Sequence, residues 1–172
     1  MTDTPLTVTR LWKTMTPAQR FAAAQAFWND DQATEDQMQA VILIAQQKKF
    51  RPKSVIALDD ERKSRHFASL INLPDGLAAR ALILYHLAGQ RPMMGMFLDA
   101  LGIAHEDGVI QEENVKPDAA KLAPAAEKIA GQYPGEDVSL YLSTLLVQDP
   151  DTWGGLSEIV NAHQSPVSSP RS

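Results

Sequence analysis

The segment that most limits what this chain can fold into covers residues 76–108. It is almost wholly apolar over 77–87, turns at Gly89-Gln90-Arg91-Pro92, and resumes as Met93-Met94-Gly95-Met96-Phe97-Leu98. It stops at Gly102 and opens into the charged stretch His105-Glu106-Asp107-Gly108. Two apolar runs separated by Gly and Pro read as a helical hairpin. The expectation is a buried hairpin at the centre of the fold with a polar loop at its exit. The apolar run is interrupted by His86 and is far short of the ~20 residues a membrane span needs.

Helix punctuation extends this reading along the chain. Thr16-Pro17 supplies an N-cap and a proline at the first helical position, and the run to Asn29 sets Phe21, Ala24 and Trp28 on one face. Thr34-Glu35-Asp36-Gln37 has the form of a capping box. The middle of that next helix, Val41-Ile42-Leu43-Ile44, is apolar on all sides and reads as buried. Lys48-Lys49 suits its negative C-terminal end. A single turn over 54–58 precedes a helix started by Asp59 or Asp60 that carries His66, Phe67, Leu70 and Ile71.

Pro74-Asp75 begins the central apolar helix, and Pro92 the Met-rich one. Residues 103–116 have no clear period and read as the longest loop. Pro117 and Asp118 start a further helical stretch in which Pro124 removes an amide donor, so a break or kink is expected there, with the better helix from Pro124 to Ala130. Val138, Tyr141, Leu142, Leu145 and Leu146 form a helical stripe. Asp149-Pro150 caps the last helix, which Gly154-Gly155 weakens. Residues 164–172 read as a disordered tail.

No strand pattern survives, so the expected class is all-α. The expectation is one irregular domain over 1–163 of about seven to nine helices, as an orthogonal bundle or solenoid-like antiparallel pairs. A length of 172 residues fits one domain, and 44% hydrophobic residues can supply its core. The net charge of −5 makes nucleic acid an unexpected partner. The chain holds no cysteine, which removes disulfides and thiolate metal sites. No signal peptide or membrane span is visible, and the expected compartment is the cytoplasm.

Chemistry-bearing residues are few. His105 and Glu106, with Asp107 beside them, bring an imidazole and carboxylates to a helix exit, where a general acid–base pair is conceivable. Adjacent residues of an extended loop point oppositely, and no metal-ligand spacing is present, so no metal and no cofactor are expected. Asp107-Gly108 reads as a turn. His86 lies in the apolar helix beside Tyr85, and with Arg91 and His105 it is a candidate for a small polar pocket. Arg91 and Tyr85 are the candidate ligand-binding residues. Lys48, Lys49, Arg51 and Lys53 with Arg62, Lys63 and Arg65 hold seven of the sixteen basic side chains, and Asp59, Asp60 and Glu61 lie between the two groups.

A DNA-reading helix-turn-helix is rejected, because the second helix of the hairpin offers thioethers and a phenyl ring rather than base-reading groups. Met93, Met94, Met96 and Phe97 form an adaptable apolar surface of the kind that accepts partner helices. The expected function is therefore protein association, as a self-associating or adaptor domain. The alternative is a ligand-binding or hydrolytic helical enzyme with its site at the exit of the 76–102 hairpin, using His86, His105 and Glu106.

Overall fold

A computed structural model describes residues 6–164. Apart from the backbone of Gln164, the tail expected over 164–172 lies outside the described residues. The chain is all-α, with one two-stranded hairpin among the described residues, and no described helix is long and apolar enough to cross a membrane. It divides at the Gly89–Gln90 turn into two compact units. The two helices of the anticipated hairpin thus belong to different units.

The first unit holds α1 (Val8–Thr14), α2 (Pro17–Trp28), α3 (Thr34–Lys48), α4 (Pro52–Ile56), α5 (Asp60–Ala68) and α6 (Asp75–Gly89). Its core is aromatic. Phe27 of α2 stacks on Phe67 of α5 with centroids 4.5 Å apart, and Trp12 meets Phe67 edge-on at 5.5 Å. All three are fully buried, each side chain contributing roughly 2–3 kcal/mol of transfer free energy. The short α1 has no counterpart in the sequence reading. Seven residues give too few turns for a period to emerge, and tertiary bonds hold it. Trp12 Nε1 donates to Leu70 O, and Thr9 Oγ1 donates to Asp75 Oδ1 at 2.6 Å.

Three expectations for this unit change. The core face of α2 is Ala23, Ala24 and Phe27, while Phe21 and Trp28 are half-buried. Helix α3 buries only Ala40, Val41, Ile44 and Ala45, and leaves Met38 and Ile42 in solvent. Thr34 opens α3 without capping it, and Gln37 turns away from the expected capping box. Its Nε2 instead donates to Phe27 O and Asp30 O, both at 2.9 Å, where α2 ends and its last carbonyls lack helical partners.

The second unit holds α7 (Arg91–Leu101), β1 (His105–Glu106), β2 (Val109–Ile110), α8 (Ala119–Ala130), α9 (Gly135–Gln148), α10 (Pro150–Trp153), a 3₁₀ turn (Gly154–Leu156) and α11 (Ser157–Gln164). Phe97 of α7 packs edge-on against Tyr141 of α9 at 5.6 Å and lies 6.2 Å from Trp153. Burial pushes the Tyr141 hydroxyl well above its usual range. Gly102, with φ +72°, ends α7 in a Schellman closure: its N–H bonds Asp99 O and the Ile103 N–H bonds Leu98 O, both at 3.0 Å.

Helix α8 runs unbroken through Pro124, against the expected break. Pro124 is exposed and only six residues into the helix, so water can reach the one carbonyl it deprives. The stripe Leu122, Ala125, Ala126 and Ile129 is buried and favours continuing the helix. Gly154-Gly155 does interrupt the last helix, as a 3₁₀ turn. A Cβ on Gly155 would lie 2.6 Å from Leu122 Cδ1, so the bare backbone is what lets α8 close on that turn. Asp149 caps α10; the Thr152 hydroxyl and N–H hold its carboxyl below the usual range.

Candidate functional site

The loop expected after α7 contains a hairpin. His105 faces Ile110 and Glu106 faces Val109, with Asp107 at φ +54° and Gly108 at φ +88° between them. Positive φ at both central residues is the type I′ turn that an Asp-Gly pair favours. The hairpin folds back on α7. A Cβ at Gly108 would meet Arg91 O and Met94 Cβ at 2.9 Å each. Gly95 leaves bare helix backbone for the imidazole, whose Cε1 lies 3.1 Å from where a Cβ would stand. Two glycines thus bring the turn and His105 onto the helix.

The ring of His105 is fully engaged there. Its Nδ1 accepts the Gly108 N–H at 3.0 Å, which assigns the ring proton to Nε2, and Nε2 lies 2.7 Å from Asp99 Oδ1. Proton transfer to a substrate would break one of these bonds. In this arrangement His105 pins the hairpin to α7. Arg91 Nη1 donates to Asp107 O at 3.2 Å and lies 3.8 Å from the Asp107 carboxylate. These groups, with Met96, Lys128 and Tyr133, line an open cleft of about 460 Å³.

The structure brings together Arg91 and His105 among the residues expected at a pocket. Tyr85 and His86 are buried on α6 of the first unit and do not line this cleft. Glu106 is exposed and does not line it either. Asp99 is the partner the sequence reading missed; its signal was the Asp-Gly turn, which returns the chain over α7. No group of three or more potential metal ligands occurs among the described residues. Met93, Met94 and Phe97 are buried, which removes them from the exposed surface, and Met96 is half-exposed at the cleft.

Six large apolar side chains are left in solvent among the described residues, Ile71 and Ile83 singly and the other four over α3, α4 and their connection. In the first unit Met38 and Ile42 of α3, one turn apart, are 49% and 46% exposed, and Phe50 and Ile56 are 42% and 51% exposed. Over residues 46–57 only Val55 is buried, and it anchors α4. The Phe50 ring sits edge-on to His66 of α5 at 5.4 Å, tying this connection to α5. Partial burial, and then the Lys48 ammonium, hold His66 below its ordinary 6.5.

The two basic groups therefore meet at Phe50 and His66. Within α5 Lys63 is answered by Asp60 at 3.6 Å and Arg65 by Glu61 at 2.5 Å, and Lys63 also lies over the Trp28 ring at 5.0 Å. Lys48, Lys49, Arg51, Lys53 and Arg62 have no carboxylate within 4.0 Å among the described residues. Comparison with protein-family models, with curated proteins and with solved structures gave no match to this chain.

Proposed function

We propose that the chain is a protein-interaction domain of the cytoplasm whose contact surface is the α3–α4 face of the first unit. The observation that carries this reading is the exposure of Met38, Ile42, Phe50 and Ile56 on consecutive elements. Single exposed apolar residues are ordinary, but several on neighbouring elements form the kind of patch that partners cover. The engagement of both ring nitrogens of His105 counts against acid–base chemistry as the rival.

Selection of binders from an unbiased displayed-peptide library, repeated with Ile42→Glu and Ile56→Glu, tests the reading. Both positions are exposed, so both variants retain the wild-type circular dichroism and melting curve. The expected result is a set of peptides that bind the wild type and lose at least about tenfold in affinity with either variant. Equal binding by the variants removes the α3–α4 face from the account.

A second reading is favoured by the cleft that Arg91, His105, Lys128 and Tyr133 line. The Asp107 and Asp99 carboxylates in the same lining are met by Arg91 and His105, which leaves the Lys128 ammonium and the Tyr133 hydroxyl to hold a small carboxylate or phosphate. A thermal-shift screen of such anions that raises the wild-type melting temperature, and not that of Lys128→Met, would support this reading over the first.

A further inference from the structure

We infer that the α3–α4 face recognises a short acidic segment carrying apolar anchor residues, an inference that rests on the interaction reading above. The first observation is charge. Lys48, Lys49, Arg51, Lys53 and Arg62 are all exposed, and none has a carboxylate in ion-pair range among the described residues. The dipole of α3 accounts for Lys48 and Lys49, which sit at its negative end. It does not account for Arg51, Lys53 or Arg62. The nearby acids Asp60 and Glu61 are taken by Lys63 and Arg65, so the cations around Phe50 stay available to a ligand.

The second observation is backbone geometry. Lys49 ends α3 at φ +60°, and the Phe50 N–H closes the turn on Ala45 O at 2.9 Å. A helix of this ending takes glycine at the left-handed position at no steric cost, as α7 does with Gly102. Here a lysine occupies it in spite of the strain. The α3 dipole gives the Lys49 charge one role at this position, and contact with a partner's carboxylates is the second role inferred here.

The third observation is the apolar component. Phe50 lies amid the cations, steadied by His66, and Ile56 ends the adjacent helix α4 with more than half its surface exposed. A partner fitting both features offers carboxylates to the cations and aliphatic or aromatic side chains to Phe50 and Ile56. The partner is short, because Asp59, Asp60 and Glu61 follow the 48–53 cations by a few residues and, although two of them are ion-paired, all three stay exposed on a chain of net charge −5. An extended polyanion or a charged membrane plane would meet those carboxylates as soon as it left the patch, whereas a short segment would not.

Fluorescence anisotropy with four synthetic probes tests this on the full chain. The probes are a peptide pool alternating Asp or Glu with Leu and Phe, the same pool with Lys for the acids, a single-stranded oligonucleotide, and vesicles of phosphatidylserine with phosphatidylcholine. The acidic apolar pool is expected to bind tightest and to weaken steeply with added salt. Arg51→Glu with Lys53→Glu lowers its affinity about tenfold or more. Lys49→Gly weakens it several-fold while the melting temperature holds or rises, which separates lost contact from lost folding. If the Lys pool binds as well, and Ile56→Glu abolishes that binding, the acidic partner is refuted while the interaction reading stands. Tighter binding of the oligonucleotide or the vesicles also refutes it. Failure of every probe, together with an unbiased library that yields no binder, removes both.

Discussion

At the scale of single residues, local geometry decides what each position tolerates. Gly108 combines φ +88° with two approaches of 2.9 Å, so Gly108→Ala both strains the backbone and forces the hairpin off α7. Chemical denaturation is expected to show a loss of about 2–4 kcal/mol, and a loss below about 1 kcal/mol would contradict the packing described. Lys49 is the mirror case: it shares the left-handed conformation but its side chain is exposed. Lys49→Gly should stabilise the chain by about 0.5–1 kcal/mol in the same assay. His66 adds a pH dependence. Because the folded state holds its pKa below 6.5, the unfolded chain binds the proton more readily. This contribution to stability is present above pH 6.5 and is lost as pH falls through the window below it. Thermal melts on either side of that pH should show a shallower acid slope for His66→Gln than for the wild type. Identical slopes would rule out His66 as the source.

At the scale of elements, the features legible in the sequence were those set by neighbours along the chain. Thr16-Pro17, Asp59, Asp118 and Asp149 start helices because capping needs only a side-chain oxygen and an amide two or three residues on. Gly102 ends α7 for an equally local reason. What escaped depends on contacts distant in sequence. The helix α1 is held by bonds to Leu70 and Asp75, and no local pattern announces them. Gln37 had the spacing of a capping box, yet the end of α2 offered its amide two carbonyls, Phe27 O and Asp30 O, whose only backbone bonds are to turn amides beyond the helix. Gln37→Ala is therefore expected to cost about 1–2 kcal/mol in denaturant melts, and Thr34→Ala only a few tenths. A larger loss at Thr34 would restore the capping box and displace this account of how α2 and α3 join. The Asp-Gly turn was legible, but its consequence was not. That the hairpin folds onto α7 depends on Gly95 lacking a side chain, and that the ring of His105 is occupied depends on Asp99 and Gly108.

At the scale of the whole molecule, the apolar content of the sequence identified core more reliably than surface. The Met-rich run looked like a contact face because composition alone does not reveal which way a helix turns its stripe. Met93, Met94 and Phe97 turn inward, and four of the six exposed large apolar groups among the described residues lie on α3, on α4 and between them, although the middle of α3 was expected to be buried on all sides; the other two are Ile71 and Ile83. The proposed interaction and its rival differ in where they put a ligand, on the α3–α4 face or in the cleft beside His105. Amide chemical-shift mapping, with the acidic apolar peptide pool titrated into isotope-labelled protein, separates them directly. Contact at the α3–α4 face concentrates the perturbations over residues 46–57 and at Arg62 and His66 and leaves the amides of residues 91–108 unmoved. Perturbations centred on Arg91, Asp99 and His105, with Lys48 to Ile56 silent, would contradict it.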